Sequence, residues 1–236
     1  MKKKIFAVSD VHGHYSYLKK ALDEAGFEEH NETHVLVVCG DNFDRGEENV
    51  AVYDYLKTVP NKVLIRGNHE DILERVLLRD QLGRFDYANG TDKTVVEFFG
   101  RLDAYDEEKK EEILSFIRSQ RDYFETKNYI FVHGWIPLAF SGGPALLPDF
   151  RAASKESWTL SRELSWMECY AEGLTVPGKT IVCGHRASCL AYRFDKNRYY
   201  DDYSVFEAEG VVAIDPCAVR SGIVNVFCVE DDLLDA

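Results

Sequence analysis

Five short apolar runs in this sequence are each followed, within a few residues, by side chains able to bind a metal ion. Asp10 and His12 follow residues 4–8, Asp41 follows 34–38, Asn68 and His69 follow 62–65, His133 follows 129–132, and His185 follows 180–183. Carboxylate, imidazole and carboxamide together suit a hard or borderline dication such as Mn2+, Fe2+ or Zn2+, and no thiolate is spaced to close a structural zinc site. One histidine after one strand is ordinarily a loop residue or a hydrogen-bonded core residue. Recurrence at five run ends is different, because ligands of open α/β sheets bind beyond the carboxyl ends of the strands, where these residues would converge. The chemistry such a set supports is metal-assisted catalysis.

The elements that must position these residues are legible from periodicity. The five runs have the length and β-branched or aromatic content of buried strands, and further runs follow at 211–214 and 223–229. Between the first three, the period turns helical: Leu18, Ala21, Leu22 and Ala25 fall on one face, as do Val50, Tyr53 and Leu56. Strand, helix, strand, helix, strand implies a parallel sheet with right-handed crossovers. A third helix is expected from Asp71, with Ile72, Leu73, Val76 and Leu77 inward. Residues 81–127 then lack strand character and are expected to be a mostly helical insertion overhanging the site. Within it, residues 106–112 form a charge run, with Asp106 and Lys110 at i,i+4 spacing beside a stripe of Ile113, Phe116 and Ile117, as on a solvated helix face.

Composition sets the outer limits. A chain of 236 residues, 45% hydrophobic with 6 Pro and 16 Gly, reads as one folded domain. Its net charge of −13 opposes nucleic-acid polymers and anionic membranes. Lys2 to Lys4 are followed by too few apolar residues for a signal peptide, and no run approaches the ~18 needed for a membrane span, so a cytoplasmic protein is expected. Six cysteines at 39, 169, 183, 189, 217 and 228 lack zinc-site spacing and are expected as free buried thiols. The acidic tail, residues 230–235, needs no role beyond solubility.

The motifs around the candidate ligands are SDVHG (9–13), GDNFDRG (40–46), RGNHE (66–70), VHG (132–134) and CGH (183–185). Together they resemble the phosphoprotein phosphatase branch of the calcineurin-like metallophosphoesterases, of bacterial type, whose signatures are DxHG, GDxxDRG and GNHE with two later histidines. The resemblance extends through residues 213–222, AIDPCAVRSG, which are similar to the family's terminal IDxG segment. It implies a four-layered α/β/β/α sandwich and two divalent metal ions, Mn2+ foremost with Fe or Zn as alternatives. By the same resemblance Asp10 and His12 would hold one ion, Asn68, His133 and His185 the other, and Asp41 would bridge them. A hydroxide bridging the ions would attack the phosphorus, and no phosphoenzyme would form.

The resemblance further implies that His69 is the general acid for the leaving group, with Asp44 polarising its ring, and that Arg45 binds phosphate oxygens bidentately. A second phosphate-binding arginine of the family lies in a WxRE-like segment, for which Arg162 in WTLSRE (158–163) is the match, with Leu160 in the aromatic position. Helices starting after Gly13 and after Asn68 would aim amides at an anion. Trp135 stands where the family commonly has glycine and is expected either to line the approach or to pack in the core; residues 87–90 and 158–166 are open to the same two readings. The expected activity is hydrolysis of phosphomonoesters, foremost phosphoserine or phosphothreonine in proteins. Symmetric cleavage of diadenosine tetraphosphate and a noncatalytic metal-bound interaction module are the alternatives.

Overall fold

Successive residues of the first strand go to different layers: Ile5 and Ala7 meet residues of a second sheet, whereas Phe6 and Val8 meet helices. The computed structural model describes residues 2–139 and 143–234. In chain order these form β1 (Lys2–Val8), α1 (Tyr15–Glu24), β2 (His34–Cys39), α2 (Asn49–Thr58), β3 (Lys62–Ile65) and α3 (Asn68–Arg79). Then come α4 (Arg84–Asn89), α5 (Thr91–Phe99), α6 (Glu107–Arg118), β4 (Phe124–Glu125), β5 (Tyr129–Phe131), β6 (Leu138–Ala139) and β7 (Ala145–Leu146). The remainder comprises α7 (Lys155–Ser161), α8 (Trp166–Ala171), β8 (Thr180–Cys183), β9 (Phe206–Ala208), β10 (Val211–Ala213), α9 (Ala218–Ser221) and β11 (Phe227–Asp232).

One sheet has the order β11-β1-β2-β3, with β1, β2 and β3 mutually parallel and β11 antiparallel at the edge; the other has the order β4-β5-β8-β10-β9. Ile5, Ala7, Val37, Cys39 and Ile65 of the first sheet pack against Phe131, Val182, Val212 and Ile214 of the second. Outside the first sheet, Phe6, Val8, Leu36 and Val38 bury against Leu18 and Leu22 of α1 and Val52 and Leu56 of α2. Outside the second, Ile130, Ile181 and Val211 bury against Trp158 of α7 and Trp166 and Met167 of α8. The result is the α/β/β/α order. Because a pleated strand sends alternate side chains to opposite faces, strands covered on both sides are apolar along their length, as β2 is from Val35 to Cys39.

Several boundaries differ from the sequence reading. The last strand runs Phe227–Asp232 rather than 223–229, since its pairing with β1 fixes Val229 opposite Ile5 and leaves Val224 to seal the helical face. The acidic tail is partly structural: Asp231 is buried and accepts from Thr126 Oγ1, Asn128 N and Asn128 Nδ2, tying β11 to the turn that leads into β5. Asp106 caps α6 by accepting from Lys109 N, and Lys110 pairs with Asp80 at 2.7 Å rather than with Asp106. All six cysteines are free, but only Cys39, Cys169, Cys183 and Cys189 are buried; Cys217 is half-buried and Cys228 exposed on the edge strand. Trp135, Trp158 and Trp166 are core residues, with Trp135 Nε1 donating to Leu174 O, so packing accounts for all three. No helix among the described residues is long and apolar enough to cross a membrane.

Candidate active site

The parallel strands end together, and the turns that leave them are knitted by backbone bonds. Asp10 N donates to Gly40 O, His12 N to Asp41 O, Gly13 N to Asn42 O and Gly46 N to His12 O. Across the sandwich, Gly184 N donates to His133 O, and His185 N donates to Asp10 Oδ2 at 2.9 Å. Glycine is required at 184, because a Cβ there would lie 2.2 Å from Asp10 Oδ2. Asp10, His12, Asp41, Asp44, Arg45 and His185 all have positive φ, between +47° and +73°. That backbone region is costly for side-chain-bearing residues and is found where surrounding structure imposes it.

These turns bring together nine of the ten residues singled out in the sequence. Asp41 belongs to two groups, one with His12 and His69 and one with His133 and His185; within each group one donor atom per residue lies within 4.8 Å of the others. Asp10 Oδ1 stands 3.8 Å from His12 Nε2. Asn68 Oδ1 lies 2.9 Å from His133 Nε2 and 3.1 Å from His185 Nδ1. His12 Nδ1 and His133 Nδ1 are occupied by the carbonyls of Phe43 and Cys39, which leaves each Nε2 facing the cluster. The amide oxygen of Asn68 stands 3.3 Å from both Asp41 carboxyl oxygens and close to the ring nitrogens of His133 and His185, and such a convergence of carboxylate, carboxamide and imidazole lone pairs fits divalent ions.

Electrostatics follow from burial and from Asp41. Burial raises the Asp41 pKa, but the charges of His133 and His69 outweigh it and hold the carboxyl well below the usual carboxylate range. Burial disfavours the imidazolium of His133, yet Asp41 and Asp10 push its pKa up to about 10. His185, buried and facing His133, is pushed down to about 3, and burial likewise lowers His12. At His69, burial is overcome by Asp41 and by the Asp44 hydrogen bond, and the pKa lies above its ordinary value. Neutral rings at 12 and 185 have lone pairs free for ligation; ligation by His133 would release a proton.

His69 Nδ1 donates to Asp44 Oδ2 at 2.8 Å, and its Nε2 faces Arg45 Nη2 at 3.1 Å and Asp41 Oδ2 at 3.9 Å. The tenth residue, Arg162, is engaged elsewhere. Its buried guanidinium donates to Asp71 Oδ2 at 2.7 Å and to Asp122, and Asp71 also accepts from Arg66, in a chain that continues to Glu74 and Arg118. Other contributors have no assigned role in the sequence reading. Glu70 accepts from the amides of Asp41, Asn42 and Gly67; its place three residues after Gly67, the spacing of a capping box, is the sequence signal for it. Thr91 and Thr94 of α5 reach Asp44, with no local signature. Asp215, in the IDPC stretch, is buried, and burial together with the charge of Asp10 raises its pKa well above the usual range.

A two-sheet sandwich with a carboxylate and imidazole cluster at the strand ends defines a class, and a family model names it. The model for calcineurin-like phosphoesterases matches residues 3–189, and the chain belongs to that family. A serine/threonine-protein phosphatase 2 from Salmonella typhimurium (strain LT2) is 30% identical over 137 residues, spanning 56% of this chain and 59% of that relative. A structure described as a diadenosine tetraphosphatase matches over 99% of this chain and 95% of its own, with a TM-score of 0.59 and 15% identity. A protein serine/threonine phosphatase from Saccharomyces cerevisiae matches over 99% and 81%, with a TM-score of 0.58 and 15% identity. At such identities the structural likeness is one of fold.

Proposed function

We propose that this protein is a binuclear-metal phosphatase that hydrolyses phosphomonoesters, with phosphoserine and phosphothreonine side chains of proteins as its substrates. The observation that carries the reading is Asp41, whose carboxyl oxygens stand 3.7 Å from His12 Nε2 on one side and 3.3 Å from His133 Nε2 on the other, with the hydrogen-bonded Asp44–His69 pair beside it. Asp10 and His12 would hold one ion, Asn68, His133 and His185 the other, and Asp41 both. Two divalent ions, manganese foremost and iron or zinc by the same donors, would supply Lewis acidity and hydroxide near neutral pH.

The chain's own groups do the rest. Asp44 fixes the Nδ1–H of His69, and Nε2, which accepts from Arg45 Nη2 in this structure, can carry the proton for a leaving oxygen once Arg45 turns from it to the phosphate. Arg45, at 3.1 Å from that nitrogen, offers its planar fork to a phosphoryl oxygen. Arg162 reaches the phosphate only by exchanging its carboxylate partners; otherwise it holds α7 against α3. An interaction module has no use for a leaving-group acid, and the intact Asp44–His69–Arg45 constellation argues against that reading.

The test is a panel with Mn2+: p-nitrophenyl phosphate, phosphoserine, phosphothreonine and phosphotyrosine peptides, and diadenosine tetraphosphate, run beside elemental analysis. Fastest turnover of the phosphoserine or phosphothreonine peptides supports the reading. Preference for diadenosine tetraphosphate would replace the substrate while keeping the mechanism. Two bound ions with no hydrolysis of any substrate would overturn it.

A further inference from the structure

The carboxylate that holds the acid is itself held by the segment between α3 and β4. Thr91 Oγ1 donates to Asp44 Oδ2 at 2.8 Å, the same oxygen that receives His69 Nδ1. Thr94 Oγ1 donates to Asp44 Oδ1 at 2.7 Å and accepts the Asp44 amide at 3.0 Å. Both threonines and Asp44 are wholly buried. Threonines in the first turn of a helix ordinarily serve their own chain; here the α5 N-cap is Gly90, with no side-chain cap, and the hydroxyls are directed across to another loop.

The rest of α5 reinforces this contact. Gly90, at φ +81°, lets the helix start touch Arg45, where a Cβ would lie 2.6 Å from the Arg45 amide nitrogen. Lys93 Nζ donates to Arg45 O at 3.0 Å. Glu97 accepts from Asn49 Nδ2 and Val50 N, and Asn49 Oδ1 accepts the Asp44 amide at 2.9 Å. Four side chains of one helix thus converge, directly or through Asn49, on the loop that carries Asp44 and Arg45.

We infer that Thr91 and Thr94 are positioning residues for the leaving-group acid: by binding both oxygens of Asp44 they fix its carboxylate plane and so aim His69 Nε2. Rotation of the carboxylate would break both hydroxyl bonds, and a carboxylate free to rotate would no longer present Oδ2 to His69 Nδ1 in one geometry. The segment between α3 and β4 is then part of proton delivery. This inference rests on the acid role proposed for His69.

The test compares T91V/T94V with wild type and with T91S/T94S, all loaded with Mn2+, on phenyl phosphate, whose leaving group needs a proton, and p-nitrophenyl phosphate, whose leaving group needs it less. In the valine variant kcat on phenyl phosphate falls roughly tenfold or more, while kcat on the nitrophenyl ester falls about threefold or less and neither KM moves beyond about twofold. Metal content is unchanged, and serine restores the phenyl rate. Independently of turnover, on protein loaded with diamagnetic Zn2+ instead of Mn2+, the downfield His69 Nδ1–H proton resonance expected for wild type broadens or shifts in the valine variant and returns with serine.

Equal losses on both esters, or an unaltered Nδ1–H resonance, would overturn the inference. Should the double variant not fold, Thr91→Val and Thr94→Val singly carry the same comparison, with the larger effect at Thr91. His69→Asn separates the two levels of the argument. If it shows no leaving-group preference, the acid reading itself falls; if it does and T91V/T94V does not, only the role of the threonines is lost.

Discussion

The two sheets reach the same crevice in opposite styles. The first delivers residues in bulk: each of its three parallel strands ends in a turn carrying at least two site residues, Asp10 and His12, then Asp41, Asp44 and Arg45, then Asn68 and His69. The second delivers a single histidine from each of two of its five strands, His133 after β5 and His185 after β8, and devotes its outer face to Trp135, Trp158 and Trp166. Contiguous turns can be supported by their own backbone, as the bonds between residues 10–13 and 40–46 are. Solitary histidines must be aimed by the other sheet, as His133 is by Cys39 O and His185 by Asp10.

The sharpest way to break this comparison is at the residue common to both sides. On the proposed reading, Asp41→Asn should abolish metal retention and lower kcat on the order of 10³-fold or more, because the Lewis acidity it would organise is worth several kcal/mol. A variant that keeps two ions by elemental analysis and near-normal kcat would contradict the shared-ligand role. His69→Asn comes next. Alkyl phosphates should slow by roughly 10²-fold or more with metal content intact, and activated aryl esters far less; parallel losses would remove the acid.

Within the second sheet, His185→Ala should weaken metal affinity with little change in melting temperature, whereas His133→Ala should also lose the bond to Cys39 O. A lost buried hydrogen bond costs about 1 kcal/mol, or roughly 2–4 °C in a chain of this size. Equal melting temperatures for the two variants would mean that His133 does not tie the sheets together. The arginines sharpen the contrast further. Arg45→Lys should raise KM roughly tenfold at constant stability, whereas Arg162→Met should lower the melting temperature, since hydrogen bonds from a charged group are worth about 1.5–3 kcal/mol and solvent at the part-exposed Asp71 and Asp122 discounts that figure. A rise in KM for Arg162→Met that matches that of Arg45→Lys would place Arg162 on the phosphate.

The smallest expected effect lies at the opposite end of the sheets. Hydrogen bonds from Thr126 and Asn128 hold the Asp231 carboxyl below its ordinary pKa, against the cost of burial. Its contribution is therefore present above the unfolded-state pKa of about 3.9 and is lost as pH falls through the lower folded value. Asp231→Asn should melt earlier than wild type at neutral pH, with the difference closing in acid; a pH-independent difference would exclude the charge as its source.

This asymmetry also governs what the sequence discloses. Asp10, His12, Asp41, Asn68 and His69 are legible because the turns of a parallel sheet compress several functions into five or seven consecutive residues. β3 and β8 are likewise evident, from apolar runs covered on both faces. The strands β4, β6 and β7 are two residues long and carry no periodicity to read. Arg162 has a motif-like setting, yet its partners Asp71 and Asp122 become neighbours only through tertiary packing. Thr91 and Thr94 are hidden for the same reason: their function is defined by Asp44, about fifty positions away, and not by anything beside them in the chain.

Left-handed backbone at Asp10, His12, Asp41, Asp44, Arg45 and His185 has an evolutionary consequence. Each such residue sits against its intrinsic preference by on the order of 1 kcal/mol, a debt that glycine at the same place would cancel while erasing the side chain. The crevice is thus where the molecule could most cheaply become sturdier and where sturdiness would leave it inert. Attempts to harden the scaffold should leave those six turn positions alone and work on the helical outer layers.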